Sequence, residues 1–96
     1  MASETVELER TAGPGDGYGG QWRVIVLNDD HNTFDHVASA LARHIPGVSM
    51  GEGYAIADKI HTTGRAIVWH GLQEQAELYW ELLRDEGLTM APLERD

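Results

Sequence analysis

Strand-like and helix-like patterns follow one another in a defined order after residue 20, and this order restricts the possible folds more than any other feature of the chain. β-branched and apolar runs predict strands, and apolar side chains at helical spacing predict helices. The predicted strands are 22–27, 65–70 and 88–93, and the predicted helices are 34–45, 49–63 and 72–86. The order β-α-α-β-α-β is typical of an α+β protein. We expect a two-layer α/β sandwich, with three helices on one face of a small three-stranded antiparallel sheet.

The ends of these elements carry their own signals. Ser49 followed by Glu52 matches a capping box at the start of the second helix. Gly64 stands where a helix commonly ends with a left-handed glycine. Pro46 cannot continue the first helix, and Pro92 directs the last strand to an edge of the sheet.

The first twenty residues differ from the rest in composition. They contain five glycines within eight positions, at 13, 15, 17, 19 and 20, and few side chains that could pack. Glycine at this density loses much backbone entropy on ordering. We therefore expect residues 1–20 to form a flexible acidic N-terminal arm and residues 21–96 to form one core domain.

Composition excludes several classes of function. The chain has 96 residues, a formal net charge of −9 and no cysteine. Binding of nucleic acid or of an anionic membrane surface needs clustered Lys and Arg, so neither partner is expected. The acidic surface suits a cationic group or a basic protein partner. The polar start at 1–10 does not resemble a signal peptide, no apolar run could span a membrane, and we expect a cytoplasmic protein.

A polar segment, Asn28 to Asn32, follows the first predicted strand and precedes a helix. One interpretation is a turn that ends in a helix cap, because Asp and Asn are preferred there. The other is a cluster of exposed acceptors that could hold a cationic group. His61 has two interpretations as well: a favourable charge near a helix end, or a functional side chain.

Five histidines raise the question of a metal site. His36 and His44 lie two turns apart on the first predicted helix, and the chain has neither an HExxH pattern nor a nucleophile motif. We therefore expect no metal, no cofactor and no enzymatic activity. A small metal-dependent hydrolase built on the His and Asp side chains remains a third alternative to the interpretations given below.

Three blocks of sequence resemble the ClpS family, adaptors that feed substrates recognised by their N-terminal residue to Clp unfoldases. Residues 24–30 resemble its strand followed by Asn-Asp-Asp. Residues 60–66 resemble its second signature, in which a His precedes a Gly by three residues and a basic residue and Ala follow. Residues 74–77 resemble its third, an acidic residue before an Ala-Glu pair. The order and spacing agree, and the similarity covers residues 21–94.

This resemblance implies an adaptor that binds a bulky hydrophobic N-terminal residue (Leu, Phe, Tyr or Trp) together with its free α-amino group. By position, Asn28, Asp29 and His61 would contact the amino group. The predicted walls of the side-chain pocket are Asn32, Thr33, Phe34, Val37, Ala57 and Ile60. The pocket departs from the family at Phe34 and Ala57, where methionines are common. We therefore expect weaker discrimination against Ile and Val.

The same resemblance implies a Clp AAA+ unfoldase of the ClpA or ClpC type as partner. Glu74 matches a position that contacts the unfoldase, and Tyr79 stands where the family often has Lys. A bacterial cytoplasm is expected, with a plastid as the other possible compartment. The alternative function is a module that binds the Clp unfoldase, or another protein, without capturing N-terminal residues.

Overall fold

The computed structural model describes residues 20–95, which contain three strands and three helices in the predicted order. The predicted arm lies outside this range except for Gly20. The elements are β1 (Trp22–Leu27), α1 (Phe34–His44), α2 (Met50–Thr63), β2 (Arg65–Gly71), α3 (Gln73–Asp85) and β3 (Glu94–Arg95).

The strands form one antiparallel sheet in the order β2-β1-β3, which confirms the predicted fold class. Trp22, Val24 and Val26 alternate along β1 and all pack in or against the main core, as the period of two in a strand requires. The register shifts between Val24 and Ile25, whose partners are Trp69 and Ile67. Val68 is the extra residue of this bulge, and its side chain is buried too.

The predicted last strand at 88–93 is wrong in position. The paired residues are Glu94 and Arg95, and the preceding segment makes a single isolated bridge to β1 through Met90. Two backbone bonds hold that segment against β1, from Leu27 N–H to the Thr89 carbonyl and from Ala91 N–H to the Ile25 carbonyl. Because proline has no N–H to donate, the pairing does not continue through Pro92.

α1 and α2 pack closely because a glycine stands at their contact. A Cβ atom at Gly53 would lie 2.6 Å from the carbonyl oxygen of Ala38 and 3.0 Å from its Cα. Both residues are buried, so no larger side chain fits between the two backbones. This close contact sets the separation of the two helices whose ends border the candidate site.

Both ends of α2 form as their sequence signals predict. Ser49 and Glu52 make a reciprocal capping box, and Gly64 ends the helix in the left-handed conformation with φ 95°. The Gly64 carbonyl then accepts a hydrogen bond of 2.9 Å from the backbone N–H of Asn28. The last turn of α2, which carries His61, is thereby held beside the end of β1.

Candidate functional site

A cleft opens where β1 ends, between the loop at 28–32, the start of α1 and the second half of α2. It encloses about 300 Å³, counting the solvent at its mouth. Its lining is apolar except for three polar side chains on one side. The lining residues are Val26, Leu27, Asn28, Asp29, Asn32, Phe34, Val37, Ala57, Ile60 and Leu88.

The carboxylate of Asp29 organises the polar side of the cleft. Oδ1 accepts from the backbone N–H groups of His31 and Asn32, each at 2.8 Å. Oδ2 accepts from Asn32 Nδ2 and from the Thr89 hydroxyl, each at 2.7 Å. A carboxylate has about four acceptor positions, and all of them are used inside the protein.

These contacts also determine the charge of Asp29. Partial burial alone would raise the pKa of its carboxyl. The hydrogen bonds from the Asn32 N–H, the Thr89 hydroxyl, the Asn32 amide and the His31 N–H outweigh burial, and they lower the pKa far below its usual range. Asp29 is therefore ionised throughout the physiological range of pH.

The segment after α3 closes one end of the cleft. Asn32 Nδ2 donates to the Gly87 carbonyl at 3.0 Å, and His36 Nε2 lies 2.6 Å from the Glu86 carbonyl. A carbonyl oxygen can only accept, so the His36 ring donates this bond. The Glu86 carboxylate binds the side chains of Arg43 and His44, which lower its pKa. Together these bonds hold the segment against α1.

Seven of the nine residues predicted for the amino group and the pocket line the cleft. They are Asn28, Asp29, Asn32, Phe34, Val37, Ala57 and Ile60. Thr33, a predicted wall residue, is instead the N-cap of α1, and its hydroxyl accepts from the backbone N–H of His36 at 3.0 Å.

His61 lies next to the cleft through its contact with Phe34. The two rings meet edge to face, with centroids 5.4 Å apart and planes at 66°. Within residues 20–95, neither the His61 ring nor the side-chain amide of Asn28 makes a hydrogen bond to another group. Both are therefore available as acceptors for a ligand.

Three lining residues were not predicted from the sequence: Val26, Leu27 and Leu88. Val26 and Leu27 precede Asn28 directly, so the apolar end of the strand was the signal for them. Leu88 is distant in sequence and reaches the cleft because the segment after α3 is held against the loop. No local pattern in the sequence marks it.

The two predicted unfoldase contacts lie on α3, on a different element from the cleft. Glu74 is exposed in the first turn of the helix. Tyr79 is half-buried, and its ring meets Trp69 edge to face at a centroid distance of 4.9 Å. Gly71 makes room for this stack, since a Cβ there would lie 2.5 Å from the Trp69 indole.

Two further properties concern the described part of the chain alone. Within residues 20–95, no three His, Asp or Glu side chains come together in an arrangement that could bind a metal ion. In the same range, each helix is too short or too polar to cross a lipid bilayer.

Comparisons with known proteins assign the family. Residues 19–94 match the family model described as ATP-dependent Clp protease adaptor protein ClpS. A Clp protease adapter protein ClpS of Synechocystis is 55% identical over 74 residues, covering 77% of this chain and 76% of the relative. The chloroplastic adapter CLPS1 of Arabidopsis thaliana is 34% identical over 67 residues, covering 70% of this chain and 42% of the relative.

A solved structure has the same fold. Agrobacterium tumefaciens ClpS2, bound to L-phenylalaninamide, superposes with a TM-score of 0.73 at 23% sequence identity. The match covers 79% of this chain and 96% of that one. The family model, the two adaptor sequences and the shared fold agree with the three blocks identified in the sequence. The chain belongs to the ClpS family of adaptor proteins of the ATP-dependent Clp protease.

Proposed function

We propose that this adaptor captures proteins by a bulky hydrophobic N-terminal residue (Leu, Phe, Tyr or Trp) and its free α-amino group, and delivers them to a ClpA- or ClpC-type AAA+ unfoldase. The observation that carries the proposal is a single cleft in which an apolar floor meets a negatively charged polar rim. An N-terminal residue has the matching combination, an apolar side chain next to an ammonium group.

Three side chains at the rim would bind the ammonium group together: Asn28, Asp29 and His61. An ammonium offers up to three N–H donors and needs converging acceptors. Asn28 contributes its amide oxygen, and His61 contributes a ring nitrogen when it is neutral. Because the Asp29 oxygens are already occupied, Asp29 acts mainly through its negative charge and by holding the loop in place.

The expected free energy of binding corresponds to a weak to moderate affinity for the N-terminal residue. Hydrogen bonds to a charged group contribute about 1.5–3 kcal/mol each. Burial of a Leu or Phe side chain contributes about 1.5–3 kcal/mol more. A micromolar complex requires about 8 kcal/mol. The site therefore reaches this range only if the loop is ordered before binding, and the hydrogen bonds to Asp29 provide that order.

The relatives support the proposal. The A. tumefaciens ClpS2 structure contains L-phenylalaninamide, which combines a free α-amino group with a bulky apolar side chain. The similar sequences include cyanobacterial and chloroplastic adaptors. We propose a bacterial cytoplasm or a plastid as the compartment of this adaptor.

The test is fluorescence anisotropy with labelled peptides that differ only at the first residue. Peptides beginning with Leu and Phe are expected to bind, and N-acetyl-Leu and Ala peptides are expected to bind at least tenfold more weakly, since each lacks one half of the recognised group. Ile and Val peptides are expected to retain part of the affinity, because Ala57 leaves space at the wall. Equal binding of all six peptides, or of none, would instead favour a Clp-binding module without N-terminal recognition.

A further inference from the structure

We propose that Glu86 is a positioning residue for substrate binding, although it is not among the residues that line the cleft. Its side chain and carbonyl fasten the end of α3 to α1, and this connection sets the distance between Leu88 and the α1 side of the cleft. The inference rests on the proposed function, and adds to it a residue that influences which N-terminal side chains are preferred.

The inner part of the cleft is formed by side chains from two different helix ends. Phe34 and Val37 belong to the start of α1, and Leu88 follows the end of α3. Leu88 and Val37 are buried, whereas Phe34 is 40% exposed, so Leu88 and Val37 lie deeper in the cleft. A first residue that fills the cleft therefore contacts walls whose spacing depends on how α1 and the end of α3 are joined.

The end of α3 is rigid in itself. Gly87 adopts φ 92°. Its N–H donates to the Arg84 carbonyl at 2.9 Å, and the N–H of Leu88 donates to the Leu83 carbonyl at 3.2 Å. These two bonds around a left-handed glycine form a Schellman motif. Leu88 is thereby fixed relative to α3, so its position in the cleft follows the position of the helix end.

Glu86 fixes this helix end relative to α1. Its carboxylate accepts hydrogen bonds from the Arg43 guanidinium and from His44 Nε2, the latter at 2.7 Å. Its carbonyl accepts from His36 Nε2 at 2.6 Å. The side chains of His44 and Glu86 are only 19% and 23% exposed, so water competes less for their hydrogen bond than at an open surface. Three side chains of α1 thus converge on one residue.

Loss of the Glu86 carboxylate should make the cleft less selective. Without it the end of α3 can shift against α1, and a bound substrate has to order it again, which reduces the affinity. This cost applies to first residues that reach Leu88, such as Leu and Phe. A shorter Val side chain makes fewer contacts with the inner wall and gains less from its order. We therefore expect the preference for Leu over Val to shrink.

The experiment is fluorescence anisotropy with Leu-, Phe- and Val-initiated peptides, on the full chain and its variants. In Glu86→Ala the affinity for the Leu and Phe peptides is expected to fall about threefold to tenfold, and the affinity for the Val peptide by no more than about twofold. Asp85→Ala is the matched control, because it removes a carboxylate one position earlier, where Asp85 contacts Arg84 of its own helix at 3.2 Å. The control is expected to leave all three affinities unchanged.

A purely structural role of Glu86 would not change the ratio of the Leu and Val affinities. A variant that is only less stable has fewer folded molecules, which lowers the apparent affinity for every peptide by the same factor. A smaller Leu-to-Val ratio in Glu86→Ala, with the normal ratio in Asp85→Ala, supports the inference. An unchanged or larger ratio, or an equal change in Asp85→Ala, overturns it while leaving the proposed function intact. If the unmodified chain binds none of the peptides, the proposed function fails and the inference fails with it.

Glu86→Gln keeps the test decisive if Glu86→Ala does not fold. Glutamine retains an oxygen that can accept from His44 or Arg43 but has no charge, so the connection to α1 is weakened rather than removed. The Leu-to-Val ratio of this variant is expected to lie below that of the unmodified chain. A ratio equal to that of the unmodified chain in a folded Glu86→Gln overturns the inference.

Discussion

At the scale of single residues, the Asp29 carboxylate does most to shape the cleft. It joins the loop at 28–32 to Thr89, a residue sixty positions later in the chain. An Asp between a strand and a helix commonly caps the helix, but here the N-cap of α1 is Thr33 and not Asp29. Asp29 and Asp30 therefore have different roles, because the Asp29 carboxylate is hydrogen-bonded within the protein while Asp30 is exposed to solvent.

Stability is expected to depend on the charge of Asp29. Its folded pKa lies below that of the unfolded chain, so its contribution is fully present above about pH 4 and is lost as the pH falls further. Asp29→Asn should lower the free energy of unfolding at pH 7 by about 1–3 kcal/mol. The difference from the unmodified chain should shrink as the pH is lowered from about 4 to about 3 in urea titrations.

Asp30→Asn is the control for this measurement, because it removes the same charge one position away. It should change stability by less than about 0.5 kcal/mol. A difference between Asp29→Asn and the unmodified chain that stays constant down to pH 3 would show that the carboxylate charge is not the source of the effect.

Peptide binding is expected to depend on the acceptor nitrogen of His61. His61→Ala removes this acceptor and should weaken binding of a Leu-initiated peptide about tenfold, measured by anisotropy. His61→Gln keeps a side-chain acceptor and should retain more of the affinity. Unchanged binding of His61→Ala would rule out His61 as the acceptor.

At the scale of elements, the crossing of α1 and α2 controls the position of both sides of the cleft. Gly53→Ala places a methyl group against the Ala38 backbone and should destabilise the fold by about 1–3 kcal/mol. Gly51→Ala is the matched control in the same helix, where the nearest atom to the new Cβ would be Ser49 Oγ at 3.9 Å.

The control substitution, Gly51→Ala, should stabilise the fold, whereas Gly53→Ala should destabilise it. Gly51 is exposed, and alanine at a helical position is favoured over glycine by up to about 1 kcal/mol. Urea unfolding of the two variants gives both values directly. Destabilisation of equal size in both would mean that the helix spacing tolerates the Gly53 methyl group and that another effect is responsible.

At the scale of the whole molecule, the end of α3 connects parts that are far apart in sequence. The segment 86–89 is bonded to the loop before α1 and to three side chains of α1 itself: His36, Arg43 and His44. The C-terminal end of α3 thus adjoins the cleft, through the segment that carries Leu88.

The described core and cleft residues lie within residues 20–95. We therefore expect that binding of a substrate's N-terminal residue does not require residues 1–19 of this chain. A chain that begins at Gly20 should keep the peptide affinity and the melting temperature of the full chain. Anisotropy and thermal melts test both. A large loss of affinity on truncation would assign residues 1–19 a part in binding the substrate.

The sequence by itself determined the order of the elements, the capping box of α2, the glycine that ends it and most of the cleft. The elements and the caps follow from local physics, that is, from periodicity and cap preferences. The cleft residues were predicted from the resemblance to the family signatures that carry Asn28 and His61. Tertiary structure alone decided that Leu88 and Thr89 reach the cleft, that Pro92 displaces the last pairing to Glu94, and that Tyr79 turns towards Trp69. Each of these depends on contacts between residues distant in the chain, which no local pattern encodes.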